Sequence, residues 1–220
     1  VAGTDPSSGR APERAAGREH TEQGKERKQQ LVDTAMRLFA ERGYAATRIA
    51  DICHAAGVAK GLFYWYFPTK HDLFAELVRS MRQRLRRAQA AALDPDADAL
   101  THIRQGVEAS LLFMAEHAAY FALLQVERTD PNLAATLREG SDVYLRDVLA
   151  HIREAQRDAQ IADTDPTLLA LGVLGAVSSF SNAWRNGRID LTATELAAFV
   201  GDWVVRALGE TSLIEPAHST

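Results

Sequence analysis

The chain has 220 residues, 46% of them hydrophobic, which is enough for one large or two small domains with a core. A single cysteine, Cys53, excludes an internal disulfide, fits a reducing cytoplasm and reads as a small buried apolar side chain. The net charge of −4 is unevenly spread: residues 25–90 carry 13 Lys or Arg against 6 Asp or Glu, whereas residues 91–220 carry 9 against 19, so a cationic head precedes an anionic body.

Residues 1–24 are rich in Gly, Pro, Ser and charge, without apolar periodicity, and are expected to be a disordered N-terminal tail. They contain no apolar h-region, so they do not read as a signal peptide. Arg10, Arg14 and Arg18 are of the kind that reach a minor groove from an arm, but a passive tail is the favoured reading of them. From residue 25 to 43, Leu31, Ala35, Leu38 and Phe39 form one apolar stripe at helical spacing, and Gly43 ends the helix.

The stretch from Thr47 to Lys70 predicts two short helices around a tight turn. Gly57 supplies the positive φ that ends the first, about 48–56, with Thr47 as its expected N-cap. Val58 and Phe63 are spaced for a hydrophobic staple around an N-cap at Ala59, and Pro68 closes the second helix, about 60–66. Val58, Phe63 and Phe67 supply its inward side. Lys60, Gly61, Leu62, Tyr64, Trp65 and Tyr66 are left facing elsewhere: a cation, a residue without a side chain, an apolar group suited to a thymine methyl, and three hydrogen-bonding aromatics. That set suits a major groove, with Thr47 and Arg48 counted beside it. The alternative is a small helical hairpin whose aromatics are half buried in a partner.

The run TRIADICHAAGVAKGLFYWYFPTKHDLF resembles the DNA-binding domain of the TetR/AcrR (tetracycline-repressor-like) family of bacterial transcriptional regulators, over about residues 27–75. The resemblance is carried by Ala56-Gly57-Val58, by Gly61 and Tyr64, and by Tyr66-Phe67 followed by Lys70. It implies that Lys60 reaches base edges or phosphate, that Tyr64 contacts phosphate or a base, and that Lys70 grips a phosphate. Ala59 stands where such proteins often have a phosphate-binding serine, Leu62 where they often have threonine, and Ala50 where some have a base-reading arginine.

A fourth helix is expected to open at Thr69, with Asp72 completing a capping box, and to run to about residue 92 through Leu73, Leu77, Met81 and Leu85. Beyond it every apolar pattern is helical. Leu100, Ile103, Val107, Leu111 and Met114 mark one helix; a short one follows over about 119–127; Leu133 to Ile152 marks another, to about 157. Asp165 with Pro166 opens a helix to about 186, and Thr192 with Glu195 opens the last, to Leu208.

The fold expected is therefore all-α, about nine helices: a three-helix helix-turn-helix domain over 25–71, a helical effector-binding and dimerisation domain over 72–210, and a C-terminal tail over 211–220. In the last two helices, Gly172, Gly175, Ala176, Ser179, Leu196, Phe199, Val200 and Trp203 are the expected homodimer interface. The helix over 166–186 is nearly apolar but holds three serines, and reads as buried rather than membrane-spanning. Phe113, His117, Tyr120, Phe121, Tyr144, Phe180 and Trp184, with Glu127 and Asn182 among them, are the expected lining of an effector pocket, although each singly suits a core.

No nucleophile elbow, phosphate-binding glycine loop or metal-ligand spacing appears, so no catalytic residue, metal or cofactor is assigned. The function expected is a cytoplasmic, nucleoid-associated, ligand-responsive regulator, by default a repressor released from a palindromic operator by a hydrophobic or amphipathic small molecule. The rivals are an all-α small-molecule-binding protein without DNA function and a DNA-binding protein without an effector.

Overall fold

The computed structural model describes the backbone of residues 11–127 and 131–210. Among these residues there are nine helices and no strand: α1 (Ala11–Arg42), α2 (Ile49–Ala56), α3 (Lys60–Tyr66), α4 (Lys70–Ala92), α5 (Ala99–Glu116), α6 (Ala118–Glu127), α7 (Pro131–Arg157), α8 (Pro166–Arg185) and α9 (Ala193–Glu210). The chain divides into two compact units, with the division inside α4 between Leu77 and Val78.

In the first unit, α1 begins at Ala11, which corrects the tail expected over 11–24. The segment is rich in Ala, Glu and Arg, has no proline after Pro12, and extends a helix whose later turns are anchored, so it is spared the cost of nucleation despite Gly17 and Gly24. The rest of that expected tail, and the expected C-terminal tail, lie outside the described residues. Gly43, at φ 82°, ends α1, and Gly57, at φ 65°, ends α2. At the second of these, Gly57 N–H donates to the His54 carbonyl and Val58 N–H to the Cys53 carbonyl, so the last carbonyls of α2 are satisfied as the chain reverses. Leu31, Phe39, Ile52, Phe63, Leu73 and Phe74 are fully buried and make the core of this unit, with Phe39, Tyr44 and Phe74 in mutual ring contact at 5.2–6.1 Å. Cys53 is buried here, and burial raises its thiol pKa.

The second unit is a helical bundle in which α5 packs against α7, α8 and α9. Ile103, Val107 and Leu111 of α5 meet Ile152 of α7, Val173 and Val177 of α8, and Val200 and Val204 of α9. Its helix starts are capped as the residues dictate. Asp98 accepts from Thr101 N–H at 2.7 Å, Asp165 from Thr167 N–H at 2.8 Å, and Glu195 accepts from both the N–H and the hydroxyl of Thr192 at 2.8 and 2.7 Å. Helix α8 has the length and apolar composition of a membrane span. Its inner side packs on α5, α7 and α9, while Gly172, Gly175, Ser178 and Ser179 lie on the exposed side.

Candidate DNA-reading surface and effector cavity

The surface of α3 is built by subtraction. Phe63 is fully buried and Phe67 nearly so, their rings 5.9 Å apart, which leaves a helix of seven residues with its remaining side chains outside. Trp65 is 74% and Tyr64 52% exposed, and Lys60 and Gly61 are exposed beside them. Two large aromatics left in water by a well-packed unit mark a surface that meets something. Leu62 is half-buried. Tyr66 is half-buried too, because its hydroxyl donates to the Gly24 carbonyl of α1 at 2.9 Å, so only part of it joins the outward face.

Three expectations change at the edges of this surface. Thr47 is fully buried, and its hydroxyl donates to the carbonyls of Gly43 at 2.8 Å and Leu38 at 3.3 Å. It therefore neither caps α2 nor faces outward. The N-cap position is Arg48, whose N–H donates to Asp51 Oδ2 at 3.0 Å while its side chain is exposed. Lys70 does not project a free ammonium. Its Nζ donates to the carbonyls of Tyr44 at 2.7 Å, Thr47 at 2.9 Å and Ala45 at 3.4 Å, and lies 4.2 Å from the centre of the Tyr44 ring. These carbonyls belong to the connection between α1 and α2, so Lys70 is a clamp on that connection. On α1, Lys25 pairs with Glu22 and Lys28 with Glu76, at 2.7 and 2.6 Å.

The second unit contains a cavity of about 750 Å³, within the range of small-molecule sites. One face of α5 lines it through His102, Gly106, Ser110 and Met114, opposite Tyr144, Val148 and His151 of α7 and Val173, Gly175, Ser178 and Asn182 of α8. Leu85 and Gln89 of α4 close one side, and Gln89 Nε2 donates to Ser110 Oγ at 2.9 Å. Of the expected lining, Phe121, Tyr144 and Asn182 are present. Burial raises the Tyr144 phenol to about 12 and the Tyr120 phenol further.

Phe113, His117, Tyr120, Phe180 and Trp184 are elsewhere, and the Glu127 side chain lies outside the described residues. Phe113 and Tyr120 are core side chains, buried to 6% and 5% exposure. His117 caps the end of α5 with its ring against Phe113 at 4.2 Å, and burial lowers its pKa. Phe180 packs on Phe199 and Trp203, and Trp184 Nε1 donates to the Leu191 carbonyl at 2.8 Å. The aromatics build the walls behind the cavity. Small residues of α5 and α8 make the space, a signal present in the spacing of Gly106, Ser110, Gly175 and Ser178, the last two at its open, solvent-exposed edge.

The expected dimer residues divide by face. Leu196 and Val200 on α9, and Ala176 on α8, point into their own unit's core, because α9 spends its 196, 200, 204 and 208 positions against α5. This corrects their assignment to the interface. Gly172, Gly175 and Ser179 remain exposed, as do Phe199 at 48% and Trp203 at 43%, joined by Leu168 at 60% and Leu171 at 50%.

A family model described as bacterial regulatory proteins, tetR family, matches residues 31–77. The chain is 30% identical over 169 residues to the probable acrEF/envCD operon repressor of Escherichia coli, covering 71% of this chain and 75% of that protein. It is 40% identical over 60 residues to the HTH-type transcriptional regulator AcrR of Shigella flexneri, a match that covers 27% of this chain and spans only 28% of that regulator. Among solved structures, the regulator FadR of Bacillus subtilis in complex with stearoyl-CoA aligns with a TM-score of 0.72 at 22% identity, over 80% of this chain and 97% of that one. At that identity the likeness concerns the fold.

Proposed function

We propose, for a chain that belongs to the tetR family of bacterial regulatory proteins, the role of a homodimeric repressor that a hydrophobic or amphipathic small molecule releases from a palindromic operator. The observation that carries the DNA reading is the outward surface of α3. Trp65 and Tyr64 stand exposed beside Lys60 and Gly61, on a helix whose inward side is filled by Phe63. Lys60 reaches base edges or phosphate, Tyr64 and Trp65 supply hydrogen-bonding aromatic contact, and Arg48 meets the backbone from the start of α2. Two copies of α3 then occupy major grooves about one helical turn, roughly 34–36 Å, apart.

Repression is supported by the Escherichia coli relative, named a probable operon repressor. The effector reading is supported by the cavity and by the Bacillus subtilis neighbour, which holds stearoyl-CoA. Helix α4 connects the two roles. Leu73, Phe74 and the Lys70 clamp lie on its first turns, and Leu85 and Gln89 line the cavity further along. A ligand that favours one position of α4 changes the spacing of the two α3 helices, by no more than its differential affinity for the two states, typically 1–3 kcal/mol. A regulator of this kind works in the cytoplasm.

The test is footprinting and titration of the protein on the DNA upstream of its own gene, at two salt concentrations, against random duplex of equal length. Preferential binding that weakens with salt is the expected result. Equal, weak binding to both duplexes contradicts a local operator, and a cavity ligand that leaves a demonstrated operator complex intact contradicts release.

A further inference from the structure

Arg185 is the only Lys or Arg lining the cavity among the described residues. Its Nη1 donates to the hydroxyl of buried Ser181 at 2.6 Å, and its guanidinium lies 6.0 Å from the Phe121 ring centre; no carboxylate of the described residues pairs with it. The one carboxylate in the lining, Asp147, is held bidentately by Arg86, at 3.2 and 3.1 Å, so it offers Arg185 nothing. Desolvation lowers the Arg185 pKa, yet a guanidinium keeps its proton in a protein. A half-buried cation without an anion is costly to maintain, and a well-placed anion that also accepts hydrogen bonds offsets part of that cost.

The position of Arg185 gives a bound molecule a direction. Phe121, under the guanidinium, packs on Phe113 near the C-terminal end of α5, whereas His102 and His151, in edge contact at 5.8 Å, mark its N-terminal end. Between them the lining is mostly apolar, and α5 runs roughly 18 Å from His102 to Met114. Asn182 lines the cavity one residue beyond Ser181, and its Oδ1 already accepts from Asn186 Nδ2 at 3.0 Å, so its own amide N–H groups remain to donate. The imidazole end is the weaker anion site, because Glu154 Oε2 lies 3.8 Å from His151 Nδ1 and would compete with an anion there.

We propose that the cavity takes an elongated apolar molecule bearing one carboxylate, with the carboxylate on Arg185 and Asn182 and the apolar body running along α5 toward His102. The proposal rests on the reading of the cavity as an effector site and adds the charge and orientation of the ligand. The test measures binding of two probes of equal length, dodecanoate and dodecanol, below their aggregation concentrations. The proteins compared are the full-length wild type, Arg185→Met and Arg185→Lys.

Dodecanoate is expected to bind the wild type roughly ten- to a hundredfold more tightly than dodecanol. Arg185→Met abolishes that preference while keeping its affinity for dodecanol, which also reports that it is folded; Arg185→Lys restores part of the preference. Equal binding of the two probes to the wild type, or an unchanged preference in Arg185→Met, overturns the carboxylate assignment while leaving the effector site standing. Failure of both probes to bind the wild type overturns the effector-site reading, and the assignment with it.

Discussion

Lys70 shows how far a residue's role depends on what the fold places next to it. Its place after Tyr66-Phe67 suggested a phosphate contact, yet its ammonium is directed at three backbone carbonyls of a loop more than twenty residues away in sequence. Replacing it with methionine keeps the stem and removes the ammonium that these carbonyls accept from. Lys70→Met is expected to destabilise the protein by about 1–3 kcal/mol in urea unfolding, and to weaken DNA binding through the misplaced loop; full stability would return Lys70 to the DNA surface. Thr47 and Lys70 turn away from their expected directions for the same reason. Local spacing identifies a cap or a cation, but which way a side chain turns is decided by acceptors from Leu38 to Gly43 and from Tyr44 to Thr47 that the spacing does not display.

At the scale of elements, helix boundaries were legible wherever a local chemical signal sets them. Gly57, the Thr69–Asp72 pair, Asp165 with Pro166, and the Thr192–Glu195 pair all act where they were expected. The start of α1 was not legible, because a charged segment without an apolar stripe looks the same in a tail and in a solvated helical extension. One helix end is strained. Ala159 follows α7 at φ 55°, with Gln160 N–H donating to the Ala155 carbonyl, a left-handed position that disfavours a side chain. Ala159→Gly is expected to stabilise the protein by about 0.5–1 kcal/mol, and a lower urea midpoint would contradict this.

Acid acts on the caps of the second unit in one direction. The His117 pKa is lowered from its ordinary 6.5, so below that pH the unfolded chain binds more protons and stability falls. Asp98 and Glu195, lowered from 3.8 and 4.5 by their hydrogen bonds to Thr101 and Thr192, extend the loss to lower pH. The urea midpoint should therefore drop between pH 7.5 and 5.5, and drop less in His117→Gln; equal drops would remove His117 as the cause.

At the scale of the molecule, the all-α fold was readable because helical periodicity is a local property of each segment. The cavity was only partly readable, because a cavity is where side chains are missing. Gly106, Ser110, Gly175 and Ser178 shape it, while the conspicuous Phe113, Phe180 and Trp184 are consumed in packing. The outer face of α8 and α9, with Leu168, Leu171, Phe199 and Trp203 exposed, is the surface we propose for docking of a second copy. Phe199→Asp places a charge at its centre and is expected to give a folded monomer in sedimentation, with operator affinity lowered because each copy then holds one half-site. A variant that stays dimeric would move the interface elsewhere.

The reading of α3 as the DNA-facing element is tested most directly by measuring operator affinity at fixed salt for the wild type and the Tyr64→Ala/Trp65→Ala double variant, with dimerisation and thermal unfolding followed in parallel. Both side chains are exposed and carry little of the unit's packing, so the dimer and the unfolding temperature should be retained. Operator affinity should fall at least tenfold, the equivalent of about 1.4 kcal/mol. An unchanged affinity in a folded, dimeric variant would contradict the account.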